Sequence, residues 1–287
     1  MITSPFPESV FPDLRFVPTG SLVPHEQHDD QRLEPLVRLI REQCVLKNPP
    51  VVTPLSEERE GEARYVVLDG ANRAAAAGAA GFPHVVVQVV PYSEPSVTLT
   101  TWNHALSKYP HDEIEEVVRQ VEGLRCCGAD AMHARAALAR RQAVALIQYD
   151  DAIMIALMGG QDLHSRNAQL NDLVGRYSDR GKFHRVAVES LEDARDRHPD
   201  TTALVVFPHY EPAEILELAA LGDRLPAGIT RHLVRWRALR VNVPTEPMAD
   251  PHRSLDEKNR WLRDWLRAKT SSRQVRFYEE PTVLFDE

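Results

Sequence analysis

Tyr65-Val66-Val67-Leu68-Asp69-Gly70-Ala71-Asn72-Arg73 is the stretch on which the fold turns. Its first four residues are bulky or β-branched and predict a buried strand. The Asp-Gly pair predicts a turn, and the alanine-rich run ending at Gly81 predicts a helix. A strand that delivers the chain straight into a helix N-terminus exposes backbone N–H groups that favour an anion. Gly70 and Ala71 allow a phosphate to approach closely, and Arg73 adds a fork of donors. Asp69, at the strand end, is suited to hold a metal ion or a reacting hydroxyl. The pattern alone leaves a plainer alternative open: Asp69 or Asn72 caps the helix, and Arg73 is a surface charge.

Working outward, residues 14–92 read as one α/β unit. Leu14 to Pro18 predicts a short strand, and Leu33, Leu36, Val37 and Ile40 recur at helical spacing. Lys47-Asn48-Pro49-Pro50 breaks the chain, since two prolines cannot continue a helix. Val51-Val52 begins another strand, Ser56 to Glu62 reads as a solvated hairpin tip, and Val85 to Val90 predicts a strand inside a sheet. The polar turn from Pro91 to Pro95 marks the boundary. The expectation is a nucleotide- or phosphate-binding domain over 1–92 and a mixed, helix-rich domain over 93–287. In the latter, Asp112 to Leu124, residues 167–177 and residues 212–221 predict helices. Ala143 to Tyr149 and Ala152 to Leu157 predict a hairpin around Asp150-Asp151, and Ala203 to Phe207 a buried strand. Ser254 and Glu257 form a capping-box signature ahead of Trp261, Leu262 and Trp265.

Composition narrows the function. The 287 residues are 43% hydrophobic and 26% charged, the balance of a globular chain with a real core. Lys plus Arg number 34 against 42 Asp plus Glu, a net charge of −8, so a duplex polyanion is repelled on average. No apolar run approaches the roughly 20 residues that span a bilayer. The opening MITSPFPESVFPDLRF lacks a basic flank and an apolar stretch, and the expectation is a cytoplasmic protein. Cys44, Cys126 and Cys127 make neither a disulfide framework nor a zinc site. His104, His111, His133 and His164 show no ligand spacing, and Arg135, Arg140 and Arg141 read as a solvated face.

Leu68 to Arg73, preceded by His25-Glu26 and Lys47-Asn48-Pro49, resembles the ParB/sulfiredoxin-like fold and, within it, the free serine kinase branch. The resemblance continues through Thr101-Trp102-Asn103, Gly228-Ile229-Thr230-Arg231-His232 and the closing Tyr278 to Glu287. It implies an α/β (α+β) fold and phosphorylation of free L-serine to O-phospho-L-serine by ATP with Mg²⁺, some relatives using ADP. The product would feed a siderophore (diaminopropionate) or cysteine-type route. The resemblance makes Glu26 the catalytic base and Asp69 the acid of the phosphate loop and the residue expected at Mg²⁺. Gly70, Ala71, Asn72 and Arg73, with Asn48, form the nucleotide site. Trp102, Thr230, Arg231 and His232 close over the amino acid. Where a common family loop has histidines, this chain has Ala71 and Asn72, which keeps the backbone cradle and leaves the contact of those side chains open. A sulfiredoxin-like reductase needs a cysteine in this loop, and there is none. A ParB-like DNA-binding regulator is the alternative, although no helix-turn-helix pattern follows Pro95.

The chemistry is coherent without the resemblance. A serine hydroxyl is a poor nucleophile at neutral pH and needs a carboxylate to orient it and take its proton. Glu26 lies outside any apolar stripe and is available, although a surface glutamate would look the same. Phosphoryl transfer then needs positioning and charge neutralisation. Trp102 read alone suits a core, and His232 read alone suits a surface.

Overall fold

A computed structural model of the chain describes residues 11–27, 30–55, 63–149, 154–180 and 182–278. The first half runs β1 (Asp13–Pro18), a 3-10 turn (Thr19–Ser21), β2 (Leu22–Pro24), α1 (Asp30–Gln43), β3 (Val45–Leu46), β4 (Val51–Pro54), β5 (Tyr65–Asp69), α2 (Ala71–Ala79), β6 (His84–Val89), β7 (Val97–Thr101), β8 (Asn103–Ser107), α3 (His111–Gln120), β9 (Arg125–Ala129) and α4 (Ala131–Ala139). It continues as β10 (Ala143–Gln148), β11 (Met154–Met158), α5 (Leu163–Arg180), β12 (Lys182–Val186), α6 (Leu191–Arg197), β13 (Thr201–Val206), α7 (Pro212–Leu221), β14 (Thr230–Val234), β15 (Val243–Pro244), α8 (Glu246–Ala249) and α9 (Leu255–Ser271). The expected strand–turn–helix is therefore β5–Gly70–α2. The Ser56 to Glu62 tip, the Asp150-Asp151 turn and the closing residues from Glu279 lie outside the described residues.

The chain divides into two units, Met1–Leu22, Asp30–Ser96 and Val234–Glu287 in one, Val23–Asp29 and Val97–Leu233 in the other. This differs from the consecutive 1–92 and 93–287 division. The C-terminal segment returns to the first unit because its apolar residues complete that core. Val243, Met248 and Leu262 are buried with Phe16, Val52, Val67 and Val86, and Trp261 and Trp265 pack against them. Such long-range pairing leaves no local mark in a sequence.

In the first unit the sheet order is β1-β6-β4-β5-β2. β1 and β6 are antiparallel, with Phe16 opposite Val86, while β4 and β6 are parallel. β4 lies antiparallel to β5, so the Asp69 end of β5 sits beside Val51. α9 opens with the capping box read from the sequence: the Ser254 hydroxyl accepts from the Glu257 N–H, and Glu257 accepts from the Ser254 N–H at 2.8 Å. No helix among the described residues is long and apolar enough to cross a membrane.

The second unit is built on a six-stranded antiparallel sheet, β12-β8-β13-β10-β11-β9. The mixed α/β class is as expected, and the sheet is larger than the helix-rich reading anticipated. β8, β9 and β12 are short and carry Asn, His, Cys, Gly, Lys and Arg, so neither an apolar run nor a clean alternation announces them. β9 is one of the two edge strands, and Cys126 and Cys127 stand exposed on it as free thiols.

Towards the other edge of the sheet, β8 carries a histidine sealed inside. His104 is 0% exposed, stacks on Phe183 at 4.0 Å and shares a 2.5 Å hydrogen bond with the Tyr177 hydroxyl. Burial first, then the charge of Arg185, pushes its pKa down to about 3. The native state therefore refuses a proton that the unfolded chain accepts below the ordinary value of 6.5. Stability should fall as pH drops from about 6.5 towards 3, with this residue contributing at most about 1.4 kcal/mol per pH unit. Urea titrations at several pH values check this. His104→Phe should flatten the acid limb, whatever it does to stability at neutral pH, and an unchanged slope would refute the assignment.

Candidate functional site

Two constellations emerge, one in each unit. In the first unit the chain leaves β5 at Asp69 and enters α2 through Gly70, which adopts φ 89°, a left-handed conformation that glycine takes at no steric cost. The turn is also tight around a side chain. A Cβ at Gly70 would lie 2.7 Å from Arg73 Nη2. Arg73 folds back and donates from Nη2 to Asp69 Oδ2 at 2.7 Å. The same oxygen accepts from Arg237 Nη2. Two guanidinium groups are thus held beside a helix N-terminus, an arrangement that attracts a doubly or triply charged phosphate chain.

Arg237 is the residue the sequence reading missed. It reaches the loop because residues 236–242 are laced to the first unit's sheet. Gln88 donates to the Trp236 carbonyl at 3.0 Å and accepts from the Ala238 N–H at 2.8 Å. Asn48 accepts from the Arg240 N–H at 2.7 Å. Trp236, Arg240 and Asn242 all take positive φ, between 50° and 57°, so the segment is contorted at three non-glycine positions. Such strain is retained where surrounding structure over-determines it. Arg237 Nε is buried without a hydrogen-bond partner. The one hint in the sequence is the arginine density of Arg235-Trp236-Arg237-Ala238-Leu239-Arg240. Asn48, expected at the nucleotide, fastens this segment.

In the second unit Glu26 is anchored by the turn before β14. Its carboxylate accepts from the Gly228 N–H at 2.8 Å, the Thr230 N–H at 2.7 Å and the Thr230 hydroxyl at 2.5 Å. Gly228 is at φ 75°, a turn position that suits glycine. His25, 3% exposed, places Nε2 2.8 Å from the Thr230 hydroxyl, and its ring meets His232 edge-on at 5.1 Å. The partners of Glu26 are fixed from behind: Leu225 N–H donates to the His25 carbonyl at 2.8 Å and Gln27 N–H to the Leu225 carbonyl at 2.9 Å. Trp102 N–H donates to the Ile229 carbonyl at 2.7 Å, and the Arg231 guanidinium lies 4.5 Å over the Trp102 ring.

The structure therefore gathers Glu26, Trp102, Thr230, Arg231 and His232 in the second unit, and Asn48, Asp69, Gly70, Ala71, Asn72 and Arg73 in the first. A carboxylate offers about four lone-pair sites. Three at Glu26 are occupied, so one further hydroxyl can donate to it. A cation over an aromatic face beside two imidazoles is suited to a zwitterion. Among the described residues no three His, Cys, Asp or Glu side chains gather as a metal cage. Mg²⁺ commonly takes one or two carboxylates plus the phosphates it accompanies, and Asp69 is the carboxylate at this loop.

The fold is that of a mixed α/β protein with a positively charged loop at a helix N-terminus, and the comparisons place it more closely. No family model matches the chain. It is 26% identical over 250 residues to an ATP-dependent L-serine kinase of Staphylothermus marinus, covering 84% of this chain and 95% of that one. It is 24% identical over 279 residues to the ATP-dependent L-serine kinase SbnI of Staphylococcus aureus, covering 96% and 97%. Among solved structures, a free serine kinase in complex with AMP superposes with TM-score 0.67 at 20% identity, over 83% of this chain and 94% of that one. The chain is thus similar to the free serine kinases over most of its length and shares their fold.

Gly70 supplies a direct check of the first constellation. Gly70→Ala should cost about 1–3 kcal/mol of stability, from the strain of a left-handed alanine, and should dislodge Arg73 from Asp69. Gly20→Ala, where an added Cβ meets nothing within 4 Å, should be near neutral. Urea denaturation of both variants, with ATP affinity measured alongside, tests this; equal behaviour of the two would refute the close packing at the loop.

Proposed function

We propose that this chain is an ATP-dependent L-serine kinase that converts free L-serine to O-phospho-L-serine. The observation that carries the reading is the similarity to a curated L-serine kinase over most of the chain, 26% identical over 84% of it. The chemistry of the two constellations supports it. The loop from Asp69 to Arg73 receives the phosphates of the nucleotide on the α2 N-terminus, and Arg73 and Arg237 neutralise their charge. Asp69 keeps both arginines aimed, and is the residue that would contribute to holding Mg²⁺ on those phosphates. When bound, the ion would shield the charge of the transferring group.

Serine is read in the second unit. Arg231, steadied on Trp102, takes the substrate carboxylate, and His232 and Thr230 supply hydrogen bonds. The remaining lone-pair direction on Glu26 takes the substrate hydroxyl and then its proton as the oxygen attacks the γ-phosphorus of ATP, whose bond to the β–γ bridging oxygen breaks to release ADP. The hydrogen bonds from Gly228 and Thr230 fix the carboxylate in place, so no reorganisation is needed at the moment of transfer. ATP as donor follows the similarity to ATP-dependent enzymes, with a cytoplasmic setting where nucleotide and free serine meet. The product would supply a route that replaces an activated phosphate, of the cysteine or diaminopropionate type.

Incubation with L-serine, Mg²⁺ and either ATP or ADP, with phosphoserine measured by mass spectrometry, tests the reading. ATP should give product. Glu26→Ala should lower kcat by roughly 10²–10⁴-fold, the usual contribution of a general base. Arg231→Ala should chiefly raise KM for serine. Absence of phosphoserine with both donors would overturn the kinase, and near-normal turnover in Glu26→Ala would overturn its role as base.

A further inference from the structure

At one end of the second unit's sheet, the close of β8, the start of β12 and the turn from α6 into β13 enclose a concavity of about 680 Å³. Lys108, Lys182, His184, Arg197, His198 and Asp200 line it. The register puts Lys182 opposite Ser107 and His184 opposite Ala105. Alternation along β12 then sets Lys182 and His184 on one face and Phe183 and Arg185 on the other. The His184 and His198 rings stack at 4.0 Å, inclined by only 4°. Three permanent cations thus face one carboxylate, and that carboxylate, Asp200, is taken by Lys108 Nζ at 3.2 Å. Lys182 and Arg197 are exposed and make no side-chain hydrogen bond or ion pair among the described residues.

In a chain of net charge −8 this is a local inversion of sign. Ordinary surface cations spread apart to lower their mutual repulsion, whereas these come from three elements and converge on a concave surface. We propose that this concavity binds a small phosphate-bearing anion, separately from the Asp69–Arg73 loop. A phosphate monoester offers several tetrahedral oxygens, which suit the Arg197 fork, two lysine point charges and imidazole N–H groups together. The volume suits a metabolite of ordinary size.

The position gives the site a consequence. Arg185, the next residue along β12 from His184, crosses to the opposite face. There it donates to the Ala227 carbonyl at 3.2 Å and lies so close to Gly228 that an added Cβ would fall 2.0 Å from its Cζ. Gly228 in turn donates its N–H to Glu26. An anion that moves β12 acts, one residue away, on the turn that fixes the Glu26 carboxylate.

The test is a titration of the full-length protein, its histidines isotopically labelled, with inorganic phosphate at constant ionic strength. The imidazole resonances of His184 and His198, assigned through His184→Gln and His198→Gln, should shift and saturate. Lys182→Ala/Arg197→Ala should weaken that curve by about tenfold or more, the effect of losing a charge-assisted contact, with the circular dichroism spectrum unchanged. Arg73→Ala should leave the curve where it is, separating this site from the phosphate loop. A shift that chloride reproduces, no saturable shift, or an unaltered curve in the double variant would overturn the proposal. These outcomes hold whether or not the protein phosphorylates serine.

Discussion

One oxygen, Oδ2 of Asp69, accepts from Arg73 four residues away and from Arg237 at a separation of 168 residues. Much of the first unit follows from that constraint. For Arg73 to reach back, the turn must be left-handed and lack a Cβ, which fixes glycine at position 70. For Arg237 to arrive, the chain must return after the whole second unit and be fastened by Gln88 and Asn48. Without the carboxylate, two guanidinium groups at a helix N-terminus would repel one another and the dipole beside them. With it, they form a fixed positive surface whose order does not depend on a ligand.

The second unit applies the same device with the signs reversed. Glu26 gathers donors, two from backbone and one from a hydroxyl, and in doing so defines the turn from Gly228 to Thr230. Held this firmly, the carboxylate has one direction left for a further hydroxyl. That is the property a base for a small alcohol needs, since a mobile side chain would spend part of its time misdirected. Each unit thus supplies a charged centre whose geometry is set by its own hydrogen bonds rather than by the ligand.

Local patterns in the sequence were reliable where local physics decides. The β5–Gly70–α2 turn, the α7 span at residues 212–221, and the Ser254 capping box all form where propensity and spacing placed them. Patterns failed where the structure depends on distant partners. β8, β9 and β12 are stabilised by pairing with neighbours, so polar residues in them conceal the strand. Arg237 looks like one more exposed arginine until Gln88 and Asn48 bind the backbone on either side of it. His25, read only as part of a motif, proves to be a buried side chain on Thr230.

The sequence by itself determined the residue chemistry: a strand-end aspartate, a glycine turn, an arginine one helical turn later, and a glutamate and threonine available for hydrogen bonding. These follow from side-chain type and short-range spacing. The tertiary structure alone decided which groups became partners. It returned residues 234–287 to the first unit, paired Arg237 with Asp69, and closed Gly228 and Thr230 on Glu26 across more than two hundred residues. The reason is physical: those contacts are formed by burial of apolar surface shared between remote segments, and a one-dimensional pattern records the surface but not its partner.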